Sequence, residues 1–212
     1  MADGSTPYHL EFTEEMKGFF TPGQTDYRRG FEDGRRQGSD LMFHLTIATD
    51  DVYRFMNDPR LFIPARGWVR SSRLGGRRPV ERGDFNLFVD VSASKKNMLY
   101  RLFFTDGQGR PLTLIGHKDI VGKRISTGWA ETTTLYTRLL EGHVEADQEA
   151  GAELVGSGIL HISVPDFARQ LTTFRVRGGT FGGRMKALGA FLDLFMGNLW
   201  QVFVRRPLRS PG

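Results

Sequence analysis

Five histidines, a run of paired glycines, a lone Gly-Ser-Gly and two groups of acids are the residues in these 212 with side chains or spacing suited to chemistry. His9, His44, His117, His143 and His161 show no HxxH or HExxH spacing, so metal binding has no local support. His44, His117 and His161 fall in strand-like stretches and could converge inside a barrel, where a general base would be useful; a hydrogen-bonded interior or rim histidine is the ordinary alternative. The run Gly178-Gly179-Thr180-Phe181-Gly182-Gly183-Arg184-Met185 has the glycine content of a phosphate loop but ends in Arg-Met rather than Lys-Ser/Thr, and it reads as a hinge. Gly156-Ser157-Gly158 lacks the spacing and the strand-turn-helix setting of a nucleophile elbow. Glu14-Glu15 and the group Glu145, Asp147 and Glu149 read as solvated charges. With no cysteine, thiolate metal sites, cysteine nucleophiles and disulfides are excluded. No catalytic set, metal site or cofactor motif emerges.

Positive charge has its own pattern. The chain is +5 overall, and Arg60, Arg66, Arg70, Arg73, Arg77, Arg78 and Arg82 cluster with Glu81 as the one acid among them. Such a patch attracts phosphates or anionic lipid if it lies on one face, although solvated strand and loop arginines give the same pattern. Trp68 and Phe85 nearby permit base stacking, yet no nucleic-acid motif is present, and nucleic acid is not the expected partner.

The elements that would position these residues are mostly strands. Leu41, Phe43, Leu45 and Ile47 alternate with Met42, His44, Thr46 and Ala48, the two-residue period of a β-strand. Strand-like runs recur at 63–72, 85–91, 98–105, 111–120, 129–143 and 154–164, and Asp106-Gly107-Gln108-Gly109-Arg110 suits a hairpin turn. Glu11 to Phe20 is a short mixed run. Gln24 to Gly38, charged and broken by glycine, reads as a long loop with at most a helical turn. Asp50 caps a short helix over 52–57, and Pro165-Asp166 opens another through Thr173. From Arg184 to Phe203 the period is helical, with Met185, Leu188, Leu192, Phe195, Leu199 and Val202 on one face. The expected fold is mainly β: one antiparallel barrel or sandwich of calycin or lipocalin type, with short helices and a C-terminal amphipathic helix. Its parts are a flexible stretch at 1–10, a barrel body at 11–164, a helical segment at 165–204 packing on the barrel and a basic tail at 205–212. The polar start lacks a secretory signal's apolar core, and no apolar run is long enough to span a bilayer, so the expected location is cytoplasmic, with peripheral contact at the inner membrane open.

Several stretches form a familiar set: Glu14-Glu15-Met16-Lys17-Gly18-Phe19, Leu41 to Ile47, Pro79 to Phe88, Tyr100-Arg101-Leu102-Phe103-Phe104, Pro111 to Gly116, Thr132 to Tyr136 and Asp166 to Phe174. Together, over about Leu10 to Phe203, they resemble an accessory domain of large bacterial GMC-type, cholesterol-oxidase-like oxidoreductases, often fused there to an α/β-hydrolase domain. The resemblance implies sterol or lipid handling beside a flavin enzyme or lipase. It transfers no catalysis, because the flavin-binding GxGxxG is missing.

The reading that results is a non-catalytic domain that binds or presents a lipid or sterol. Phe43, Leu45, Tyr100, Leu102, Phe104 and Tyr136 are its lining candidates, with His44 or His117 as polar contact. Two alternatives stand beside it: a small enzyme on a lipid or hydrophobic ester using a histidine base, and a docking module for an oxidoreductase or hydrolase. Trp200, Arg205 and Arg206 at the end of the helix are the candidate membrane or partner contacts.

Overall fold

The computed structural model describes residues 6–92, 95–121, 133–163, 166, 169–170 and 172–203, with side chains apart from those of 88–92, 95–96, 120–121 and 195–203. The fold is an antiparallel barrel of eight strands, with each strand hydrogen-bonded to its sequence neighbour and the last returning to the first. In chain order the wall is β1 (His9–Pro22), β2 (Asp40–Thr49), β3 (Phe62–Ser71), β5 (Arg82–Ser92), β6 (Lys95–Thr105), β7 (Pro111–Val121), β8 (Thr134–Glu141) and β9 (Leu154–His161). Among the described residues two short strands lie off the ring: β4 (Gly76–Pro79) pairs with β3, and β10 (Arg175–Arg177) pairs with the start of β1. Closure runs through β1 and β9, where Gly18 faces Leu160 and Phe20 faces Gly158, and it leaves the barrel no free edge.

Strand alternation decides which residues fill the barrel. Leu41, Phe43, Leu45 and Ile47 of β2 are at most 1% exposed, and they meet Gly18, Met16, Glu14 and Phe12 across the β1 pairing. In β6 and β7 the inward pairs are Leu102 with Leu114 and Phe104 with Leu112, all fully buried. The outward Leu99 and Phe103 explain why this stretch has bulky groups on both faces. Phe103 is covered by the Arg82 guanidinium, 3.9 Å from its ring centre, and by the edge of His143.

Among the described residues the longer runs of α-helix are α1 (Tyr27–Gln37), α2 (Val52–Met56) and α3 (Phe181–Phe203). The α2 and α3 helices close the end of the barrel where β1 begins. Ala187 and Phe191 of α3 are fully buried, and the Phe191 ring lies about 6 Å from the rings of Phe12, Phe55 and Phe174. Thr180 caps α3 by accepting from Gly183 N.

The segment expected as a loop at 24–38 is instead a full helix on the outside of the barrel. Asp26 caps it by accepting from Arg29 N at 2.8 Å, and Gly38 ends it in the left-handed conformation. The glycines that suggested a broken chain are its seat. A Cβ on Gly30 would stand 2.1 Å from Ser157 O, and one on Gly34 would stand 2.4 Å from Phe20 O. Only bare backbone lets α1 lie this close to β1 and β9. The strand expected at 129–143 begins at Thr134, and residues 122–132 lie outside the described residues. Of the short helix expected at 165–173, Asp166, Arg169 and Gln170 are helical and Thr172 and Thr173 follow in a turn, while residues 165, 167, 168 and 171 lie outside the described residues.

Candidate functional site

The expected lining residues divide between the two faces of the wall. Phe43, Leu45, Leu102 and Phe104 have no exposed surface and Tyr100 has 3%; all five point inward and belong to one continuous apolar core. An eight-stranded barrel has room for filling side chains or for one small ligand, and here these five side chains pack together in its interior. His44, His117 and Tyr136 lie on the outside, at intermediate exposure. The expected set is therefore not one site. His44 alternates with Phe43 and Leu45, His117 with Gly116 and Lys118, and His161 with Leu160 and Ile162, so the three strand histidines point away from the lumen rather than converging in it.

Inside the barrel is a polar trio that includes a residue first read as solvated. Glu14 and Lys118 side chains are each 4% exposed, and Lys118 Nζ donates to Glu14 Oε1 at 2.5 Å. The Tyr100 hydroxyl donates to Glu14 Oε2 at 2.8 Å, and Lys118 Nζ lies 5.2 Å from the Tyr100 ring centre. Burial, and then the negative charge of Glu14, push the Tyr100 phenol well above its usual range, which keeps it a proton donor. Glu14 and Glu15 are adjacent in sequence but occupy opposite faces of β1; only Glu15 is the solvated acid that the sequence suggested.

On the outer wall is an open cleft of about 350 Å³. Its floor is Phe62, Leu99 and Ile115, the outward residues of β3, β6 and β7. Its aromatic side is Tyr27, His117 and Tyr136. His117 and Tyr136 are paired across β7 and β8 with stacked rings 5.3 Å apart, and Tyr27 comes edge-on at 5.7 and 5.5 Å. Arg138 lies 5.0 Å from the Tyr27 ring, and burial raises the Tyr27 hydroxyl's pKa. The position of Tyr27 depends on α1, and so on Gly30 and Gly34.

The polar side of the cleft is unevenly satisfied. Arg101 donates to Val144 O at 2.6 Å and pairs with Glu149, while Asn86 Nδ2 donates to Arg60 O at 3.1 Å. Arg82 pairs with Glu145. Asp84 is less well served: among the described residues its ion-pair partner is Arg82, with Nε 4.0 Å away, and burial raises its carboxyl's pKa above the usual range. The cleft thus combines apolar and aromatic walls with one poorly paired carboxylate, a composition suited to holding a small amphiphile.

The strand histidines do not gather in one place. His44 Nδ1 is 3.3 Å from Glu15 Oε2 and its ring stacks on Trp68, whose ring also has Arg77 4.5 Å from its centre. His117 is 3.9 Å from Asp119, and His161 is 3.3 Å from the Thr134 hydroxyl, with its pKa lowered by burial. Among the described residues no three potential ligands gather to hold a metal. Several members of the arginine cluster have local tasks: Arg60 pairs with Asp58, Arg73 reaches Gln37 and Arg78 donates to Gly75 O. The Trp200 side chain, Arg205 and Arg206 lie outside what the structure describes. Among the described residues no helix is long and apolar enough to cross a membrane.

No family model, curated protein or solved structure matches this chain.

Proposed function

We propose that this protein is a non-catalytic binding domain for an apolar small molecule with a polar head, and that the outer cleft rather than the lumen is its site. The observation that carries this reading is the cleft itself: about 350 Å³ of open space bounded by Phe62, Leu99 and Ile115, the Tyr27–His117–Tyr136 rings and the half-buried Asp84. The volume lies at the lower end of the range for small-molecule sites. A rigid apolar body fits the floor and rings, and a hydroxyl or amine head meets the Asp84 carboxylate. The resemblance noted above supplies the chemical class, lipid or sterol, and a flavin oxidoreductase or hydrolase as the enzyme served.

The test is binding of a fluorescent sterol and a fluorescent fatty acid to the purified chain, with mass spectrometry of organic extracts for co-purified lipid. Saturable binding that Tyr136→Ala weakens supports the cleft. A wild-type protein that binds neither probe and carries no lipid would sink the proposal.

A further inference from the structure

The apolar arc of α3 is wider than the barrel needs. Ala187 and Phe191 face the core without exposure, and Leu188 and Leu194 pack partly against it. A second strip, about a third of a turn around the helix, is left uncovered: Phe181 is 72% exposed and Met185 is 52% exposed, with Leu192 half-buried further along. Beside the helix start stands the third large exposed apolar residue, Tyr53, in edge-to-face contact with Tyr8, which itself lies against Gly179 and Gly183. All the large exposed hydrophobics among the described residues therefore gather at one end of the barrel. Scattered exposed apolar groups are ordinary; a gathered set marks an interaction surface.

The charge of the same part of the chain indicates what covers it. From residue 175 onward the sequence contains Arg175, Arg177, Arg184, Lys186, Arg205, Arg206 and Arg209 against Asp193 alone, a net +6. The whole chain is +5, so residues 1–174 are net −1 and the basic excess belongs to the stretch of sequence that carries the strip; within it Arg177 pairs with Glu11, and Arg184 and Lys186 lie on the helix of the strip itself. The Arg184 side chain bridges the two features, with its guanidinium 5.8 Å from the Phe181 ring centre and donating to Gly179 O.

We infer that this end of the barrel docks on an anionic lipid bilayer surface. Phe181, Met185 and Tyr53 enter the headgroup boundary, and Arg184 and Lys186 on the same helix meet lipid phosphates. A second copy of the chain is a poor occupant, because a two-fold contact through this face would bring the same basic residues together. The docking surface is separate from the cleft and stands whether or not the cleft takes a lipid.

The test is co-sedimentation of the full chain with vesicles of phosphatidylcholine alone and of phosphatidylcholine containing one-third phosphatidylserine. The expected result is binding to the anionic vesicles only, weakened by raised salt. The double variant Phe181→Glu/Met185→Glu should lower it by about tenfold or more, since two apolar insertions are lost. Both side chains are exposed, so the variant keeps the wild-type circular dichroism spectrum and melting profile; Arg184→Gln/Lys186→Gln, which adds no acid, should weaken binding and flatten its salt dependence. Wild-type protein that ignores anionic vesicles, or anionic binding that the glutamates leave intact, overturns the inference. So does a dimer in sedimentation velocity that the glutamate variant dissolves without any vesicle binding in the wild type.

Discussion

The lumen and the outer cleft use the same three kinds of side chain, a tyrosine, a carboxylate and a base, to opposite ends. Inside, Tyr100, Glu14 and Lys118 answer one another at 2.8 and 2.5 Å, and their surroundings are apolar. Outside, Tyr27 and Tyr136 line an open space, and Asp84 has a guanidinium nitrogen no nearer than 4.0 Å. The inner set is closed on itself and has little left to offer a ligand. The outer set keeps some of its hydrogen-bonding capacity unspent. A charged group deep in a barrel attracts attention first, yet at these geometries the shallower and less satisfied group is the better candidate for binding.

The sharpest way to break that comparison is to remove one member of the inner trio. Lys118→Met leaves the Glu14 carboxylate buried without its cation, and urea unfolding should show a loss of about 3–5 kcal/mol. Adding Glu14→Leu removes the orphaned charge and should restore most of that loss, although Tyr100 then lacks its acceptor. A single variant as mild as a surface substitution would mean that the trio is hydrated and the lumen is open after all.

Next in size is the seating of α1. Gly30→Ala places a methyl group against the Ser157 carbonyl, and a backbone atom cannot rotate aside as a flexible side chain can. A loss of about 1–3 kcal/mol is expected from the overpacking. Because the helix carries Tyr27, probe affinity at the cleft should fall as well, while Gly182→Ala, where the added Cβ meets nothing within 4 Å, should leave probe affinity unchanged. Equal effects of the two variants on probe binding would detach α1 from the cleft.

Much of the barrel can be read from its sequence because alternation is strong where one face is buried. The Leu41–Ile47 run and the hairpin through Asp106–Arg110 are clear cases. The C-terminal helix is legible from its period, but its buried face is not: Met185, expected on the apolar face, is 52% exposed, and the core takes Ala187 and Phe191. The site is not legible, for three physical reasons. Alternation says that Phe103 and Phe104 face opposite ways but not which one faces in, and the answer depends on pairings with β5 and β7 that no local signal fixes. Glycine has two uses, and Gly30-x-x-x-Gly34 looks like a broken loop until the strands beneath it are known. Glu14 is chemically identical to its neighbour Glu15, and only the partner Lys118, 104 residues away, makes its burial tolerable. Lys118 flanked by His117 and Asp119 looks like a polar strand end, and the four-residue spacing from Leu114 through Gly116 was the available hint that it points inward.

Within the cleft, Tyr136→Ala and Tyr27→Ala should each lower affinity for an apolar probe by about tenfold, the loss of one aromatic contact at a binding surface. Both rings are only partly buried, so melting temperature should move little. If affinity is unchanged while stability drops sharply, the rings are part of the fold's packing and the cleft is not a site.

The finest distinction concerns protons. Burial holds the Asp84 carboxyl pKa above its usual range, so the folded chain binds a proton there more readily than the unfolded chain does. Asp84 therefore detracts from stability at neutral pH, and that cost disappears as pH falls through its raised folded value toward the ordinary carboxylate value. Comparing the wild type with Asp84→Asn isolates the effect: the asparagine variant should be slightly the more stable at pH 7, and the gap should close through that acidic window. Affinity should follow the opposite sense for a probe whose head donates to the carboxylate, weakening in the wild type as Asp84 gains its proton and remaining flat in the variant. Lys118 and Glu14 belong to the other half of the comparison, so a probe that senses Asp84 should be indifferent to the lumen. A pH profile of binding identical in wild type and Asp84→Asn would move the polar head away from this carboxylate and toward Arg60 or Glu145 at the rim of the cleft.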